Sequence, residues 1–182
     1  DFELLEEIGL KKIQLFEDEK KVFFVKSILG GLYLALASIL AFTLGALIAQ
    51  INPYAGSIGV AVFFGIAFVL IVFLHGELFT GNVLMSLIPV LSGKKKISLL
   101  LPMWSLNYLG NALGAIFISV LFMLSNAQHH LVQDYITTIA SGKLGYDLMD
   151  VFLKSILCNF IVVIAGYAYV KIKSEPAKIV VM

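Results

Sequence analysis

Between Ile51 and Gly93 no residue other than His75 and Glu77 is charged or basic. A continuous helix over that run would be about 60 Å long at 1.5 Å per residue, roughly twice the hydrocarbon thickness of a bilayer. The run is therefore not one straight span. Its interruption falls at His75-Gly76-Glu77-Leu78-Phe79-Thr80-Gly81-Asn82, which gathers charge, a hydroxyl and two glycines. A hairpin tip in water is rich in charge or proline, whereas Leu78-Phe79 sits at the centre of this stretch. Backbone that is not helical at membrane depth is tolerated only where protein or a water-filled cavity satisfies its amides. The pattern reads as a single span broken at residues 75–82, re-entrant, lining a pore and lying near mid-membrane depth.

The rest of the composition agrees with a membrane solvent. The chain has 182 residues, 60% hydrophobic and 14% charged, and its mean hydropathy of +0.97 is far from that of soluble domains. A net charge of +1, with lysines scattered at the ends of apolar runs, forms no patch for nucleic acid. The one cysteine, Cys158, lies in an apolar run, so neither a disulfide framework nor a Cys-pair metal site is expected. Residues 1–7 are acidic and lack the basic start of a cleavable signal peptide.

Taken in order, residues 2–24 alternate apolar and charged positions at helical spacing, which predicts an amphipathic helix at the membrane surface or on the protein. It is either a lead-in or a gate. Residues 27–51 are uncharged and long enough to span, with Gly30, Gly31, Ala35, Ala37, Ser38 and Gly45 as small residues for close helix approach. Asn52-Pro53 ends that span. The broken run follows as a helix over 56–74, the break, and a short helix over 83–91, closed by Ser92-Gly93-Lys94-Lys95-Lys96. Residues 98–124 form a third span whose Gly110 and Gly114 are spaced as a small-xxx-small face. Residues 126–147 are expected to be a polar loop holding His129, His130, Asp134 and Lys143. A fourth span covers residues 147–170. Lys154 interrupts it, and must either snorkel outward, as expected, or face the protein interior. Residues 171–178 read as a turn, and 179–182 as the start of another apolar run.

Lysine bias orients the spans. Lys11, Lys12, Lys20, Lys21, Lys26, Lys94, Lys95, Lys96, Lys171, Lys173 and Lys178 share one side when residues 55–92 cross once, which places the N-terminus in the cytoplasm. Lys26-Ser27-Ile28-Leu29 recurs as Lys154-Ser155-Ile156-Leu157, three crossings later and thus entering from the opposite face. Inverted repeats with broken helices place transporter sites at the midplane. The domain reading is one transmembrane domain over 1–182: an amphipathic helix over 1–26, a first repeat of three spans over 27–125, and a second repeat begun over 147–182. The chain is expected to continue past Met182 for two more spans.

The run Glu77-Leu78-Phe79-Thr80-Gly81-Asn82, with Gly110-Asn111 in the third span and Ile156-Leu157-Cys158-Asn159 in the fourth, resembles the formate/nitrite transporter family across essentially the whole chain. The resemblance implies an all-α integral membrane fold: an aquaporin-like helical bundle with inverted repeats and a broken second transmembrane helix, the second repeat incomplete here. It implies a plasma-membrane homopentamer whose protomers each conduct small monovalent anions of weak acids, such as formate, nitrite, hydrosulfide or lactate. It matches Leu78 and Thr80 to the loop that narrows the pore, Phe64 to a constriction aromatic, Lys143 to the lysine of the outer mouth and Asn159 to a polar position of the fourth span. The family's central histidine and second constriction aromatic belong to a fifth span, and His75 is not that histidine's counterpart.

The residues themselves support such chemistry. An anion in hydrocarbon must keep polar partners or become neutral. The amides that open the short helix, expected at Gly81, Asn82 and Val83, supply a positive dipole end without a full charge. Lys143 adds attraction at a wetter mouth, and Phe64 with Leu78 would form a dry waist. Two other readings remain open on sequence: an integral-membrane enzyme using Glu77 and the histidines, and a scaffold that transports nothing. A metal site of His75, Glu77, His129 and His130 is disfavoured because the pairs fall on opposite sides. No cofactor is expected.

Overall fold

The computed structural model describes residues 2–125 and 130–181, and every regular element among them is helical. In chain order these are α1 (Phe2–Asp18), α2 (Lys20–Ala49), α3 (Pro53–Phe64), α4 (Ile66–Phe73), α5 (Phe79–Leu91), a 3-10 turn (Ile97–Leu99), α6 (Leu100–Leu124), α7 (His130–Leu144), α8 (Leu148–Lys171) and α9 (Glu175–Val181). Four stretches are long and apolar enough to cross a membrane: Lys20–Ala49, Pro53–Phe73, Ile97–Leu124 and Leu148–Lys171.

The bundle is built on α2. Its small face lets α6 come close enough that a Cβ on Gly31 would lie 1.9 Å from the Asn111 carbonyl oxygen, and one on Gly114 2.0 Å from that of Ile28. Only glycine permits that approach, and the backbone-to-backbone packing replaces the hydrophobic drive that lipid removes. On the other side Gly45 and Gly56 admit α3. The turn between α2 and α3 is set by Asn52, whose Oδ1 accepts from the amides of Tyr54 at 2.9 Å and Ala55 at 3.4 Å, with Pro53 at the first helical position.

The amphipathic segment ends earlier than its charge pattern indicates. The chain turns at Glu19, and Lys20–Lys26 are the first turns of α2, not the end of a helix over 1–26. The reason is aromatic: Phe16 and Phe23 meet edge to face at 5.5 Å across the turn and join Ile13 and Met103 in a buried cluster. So α1 lies on the protein, along α5. Gly9 is pressed so close to Met85 and Pro89 that a Cβ there would sit 2.1 Å from the Met85 carbonyl.

Two segments expected to lack structure are helical. Most of the supposed loop at 126–147 is α7, held by the buried Val132 and by Tyr135, which reaches Gly45 of α2. Polar Gln133 and Thr137 share with Ile136 the face turned to α2, lining a cavity with Leu34, Ser38 and Phe42, and that mixture is what hid the period. His129 lies outside the described residues. The supposed turn at 171–178 opens into α9. Asp147 caps α8 by accepting from the Met149 amide at 3.3 Å. Lys154 leans back toward that end, 3.8 Å from Asp150 and over the Tyr146 ring, which is the outward direction expected of it.

Candidate functional site

The chain leaves the helix at Leu74 and re-enters it at Phe79, so the non-helical segment is residues 74–78, shorter than the 75–82 expected. Thr80, Gly81 and Asn82 belong to the first turn of α5. Their small polar side chains resemble a breaker in sequence, but here the helix has a partner for its first amide: Phe79 N–H donates to Asn111 Oδ1 at 2.9 Å. Asn82 N–H then returns to the Leu78 carbonyl at 2.9 Å, the first turn proper. The amides left without an acceptor among the described residues are therefore those of Thr80 and Gly81, a set that begins one position before the Gly81, Asn82 and Val83 expected from sequence. His75 holds φ 55, a left-handed conformation unusual for a residue with a Cβ, just past the end of α4.

Two asparagines of α6 replace the missing helical bonds. The Glu77 carbonyl accepts from Asn107 Nδ2 at 3.0 Å and Asn111 Nδ2 at 2.8 Å, and the Glu77 amide donates to the Lys26 carbonyl at 2.9 Å. Asn107 Nδ2 also reaches Ser27 Oγ at 2.9 Å, and Asn82 Nδ2 donates to Asn107 Oδ1 at 2.8 Å. Ser86 Oγ donates to the Asn82 carbonyl at 2.6 Å and accepts from Trp104 Nε1 at 2.9 Å. Ser27, Asn82, Ser86 and Asn107 are all buried. Backbone outside a helix is thus tolerated because protein satisfies it.

Beside the break lies a cavity of about 340 Å³ lined from five elements, among them Lys12 of α1, Lys26 of α2, Phe68 of α4, Leu78, Asn82 and Gly166. Glu77, 6% exposed, is also on its wall and is paired with Lys12. Lys26 has no ion-pair partner among the described residues, so one lysine charge on the wall is uncompensated. Two acidic residues tie α1 down at the far end of α5: Glu6 accepts from Ser92 and Lys94, and Glu17 pairs with Lys95. Lys94 and Ser92 hold the Glu6 carboxyl below the ordinary carboxylate range. A carboxylate depressed in the folded state stabilises above its unfolded pKa, so this tie persists as pH falls and is lost only through the lowered value.

Of the five residues singled out from the sequence, Leu78 lines the cavity and Thr80 sits next to it in α5. Phe64, the last residue of α3, and Asn159 are not on the cavity wall; Asn159 lines a separate cleft on α8 with Phe152, Ser155 and Phe160. Asn159 itself is exposed and donates to the Ser155 carbonyl at 2.9 Å. Lys143 is exposed in the last turn of α7, away from the cavity. Sequence reasoning missed Lys12, Lys26 and Asn107 as parts of the site. Asn107 had a legible signal, since an uncharged amide in mid-span needs a partner; the two lysines looked like flanking charges.

A helical bundle with four candidate spans, around a mostly apolar cavity that carries a few charged side chains at a non-helical segment, defines a multi-pass membrane protein of the transporter class. Residues 2–182 match the family model described as formate/nitrite transporter, and the chain belongs to that family. Among similar proteins are the uncharacterized transporter YwcJ of Bacillus subtilis, 28% identical over 98% of this chain and 70% of its own length, and the nitrite transporter NirC of Escherichia coli, 31% identical over 79% and 53%. The chain thus spans about half of the second. A solved structure, an FNT family ion channel, superposes with a TM-score of 0.89 at 24% identity, covering 99% of this chain and 71% of its own. These relatives are transporters and channels, and the enzyme alternative is set aside.

Proposed function

We propose that the chain forms a conduit for small monovalent anions of weak acids, of the formate, nitrite, hydrosulfide or lactate type. The observation that carries this reading is the cavity at residues 74–78, with an uncompensated lysine on its wall and the first turn of α5 beside it. Lys26 raises the local anion concentration, and the dipole end of α5 offers amides without a full negative partner. From there the route continues to Phe64 and Asn159. Phe64 and Leu78 narrow the route and keep it dry, Thr80 offers a hydroxyl, and Lys143 draws anions at the outer mouth.

In this reading α2 to α6 are one repeat with the second crossing broken at 74–78, and α8 opens an inverted second one. The N-terminus is cytoplasmic, as the lysine bias requires, and the protein sits in the plasma membrane. The apolar outer faces of α6 and α8, including Leu109, Phe117, Phe160 and Ile161, are exposed in the single chain and would meet lipid and neighbouring copies in a homopentamer.

The test is flux through the complete chain in liposomes. Formate, nitrite, hydrosulfide and lactate are compared under equal gradients, and saturable passage of at least one of them is expected. Passage of none, by protein shown to be folded and incorporated, would leave the membrane-scaffold reading.

A further inference from the structure

The cavity beside the break is larger than the anions it would pass. At about 340 Å³ it falls within the range of pockets that enclose a whole organic ligand, whereas formate or nitrite is little larger than a water molecule, whose share of the liquid is about 30 Å³. Most of the wall is apolar, with Phe68 and Val72 from α4, Leu78 at the break, and a stripe of α8 formed by Val162, Gly166 and Val170. These three recur every four residues, so the stripe runs about 12 Å along one face of α8 at 1.5 Å per residue. Gly166 makes the room beside it, since a Cβ there would meet nothing within 4 Å.

The charges on that wall do not cancel. The Glu77 carboxylate is held by Lys12. Lys26 has no ion-pair partner among the described residues, and its carbonyl accepts the Glu77 amide at 2.9 Å, which fixes its backbone at the break. Of the lysines and carboxylates that line the cavity, one positive charge is therefore left over, beside a long apolar surface. A small anion covers the charge and leaves that surface in water. A dicarboxylate would set its second charge against apolar side chains. We infer that the cavity is a binding site for a monocarboxylate with a short straight alkyl tail, of the hexanoate class: the carboxylate pairs with Lys26, and the tail lies along Phe68, Leu78 and the α8 stripe. The tail adds affinity because it takes apolar surface out of water in proportion to its length. The site exists whether or not the protein conducts; where the transport reading holds, an acid seated here blocks the route it lines.

The experiment is equilibrium dialysis of labelled hexanoate against the complete, detergent-solubilised protein at one neutral pH and low salt, with empty micelles of the same detergent as the blank. Saturable binding above the blank is expected. In displacement, acetate, butanoate and hexanoate should tighten by about fourfold per added methylene. Hexanol and adipate should each bind at least tenfold more weakly than hexanoate, the first for want of a charge to pair with Lys26 and the second for burying one. The alcohol enters micelles more readily than the carboxylate, so partition into detergent would give the opposite order. Lys26→Gln should bring hexanoate down to the level of hexanol. Gly166→Leu puts a side chain where the tail lies and should flatten the chain-length series.

No saturable hexanoate above the blank, hexanol or adipate as tight as hexanoate, or a series that keeps its slope in folded Gly166→Leu protein overturns the inference. Should either variant fail to fold, the wild-type series and the two analogues decide alone. The outcome is separable from that of the transport reading. Formate flux in liposomes without hexanoate binding leaves the conduit standing and removes this site, whereas hexanoate binding without flux of any small anion leaves the site and removes the conduit.

Discussion

The polar residues of the break and those of α7 and α8 look alike in sequence but differ in the fold. Asn82, Asn107 and Ser27 are buried and bonded between helices, across separations of 25 and 80 residues. Asn159 and Ser155 are exposed and bond only one turn back within α8, at 2.9 Å and 2.6 Å. The first set holds backbone that cannot hold itself; the second satisfies its own side chains and constrains nothing else. An asparagine in an apolar helix is therefore informative through what it reaches. The same contrast separates the lysines, since Lys12 is tied to a buried carboxylate at the cavity whereas Lys143 is solvated.

The largest effect should come from the packing beneath the network. Gly31→Val would drive a side chain into the Asn111 carbonyl, already 1.9 Å from a bare Cβ, and separate α2 from α6. No monodisperse protein is expected on size exclusion in detergent. A folded variant at wild-type yield would mean the network does not depend on that approach.

Next comes a matched pair. Asn107→Leu strands Asn82 Nδ2 and removes one of two donors to the Glu77 carbonyl, so unfolding should ease by about 1–3 kcal/mol per stranded group. Asn159→Leu, at an exposed site, should stay within about 0.5 kcal/mol. Denaturant titration in mixed micelles measures both. Equal shifts would erase the distinction between the two regions.

The smallest effect belongs to Lys143, which touches nothing buried. A cation in a half-solvated mouth gains about 1–4 kcal/mol from an anion a few Å away, screened over roughly 8–10 Å. Lys143→Glu should lower anion flux several-fold at low ionic strength and less at high, and Lys143→Arg should keep most of it. Equal fluxes in low-salt liposomes would make Lys143 an ordinary surface lysine.

The spans were legible because they answer to a one-dimensional rule. Apolar length sets the crossing, and the 51–93 run exceeded it, so an interruption had to exist. Its limits were not legible. Glycine and asparagine at 81 and 82 have low intrinsic helix preference, and nothing in the local sequence records that Asn111, 32 residues beyond Phe79, would cap the turn before them. In the same way α7 read as a loop, because its short apolar stripe gains meaning only against α2.

By itself the sequence determined that this is a membrane-embedded helical chain, that its second apolar run must be interrupted, and which small residues allow α2 and α6 to touch. Those follow from the cost of charge and of unpaired amides in hydrocarbon, which depends on composition and length alone. Tertiary structure decided which amides the break leaves open, which lysine faces the cavity and which asparagines hold the Glu77 carbonyl. Each depends on a donor or acceptor brought from another helix, and a hydrogen bond is satisfied or left open only by atoms within about 3 Å of each other in space.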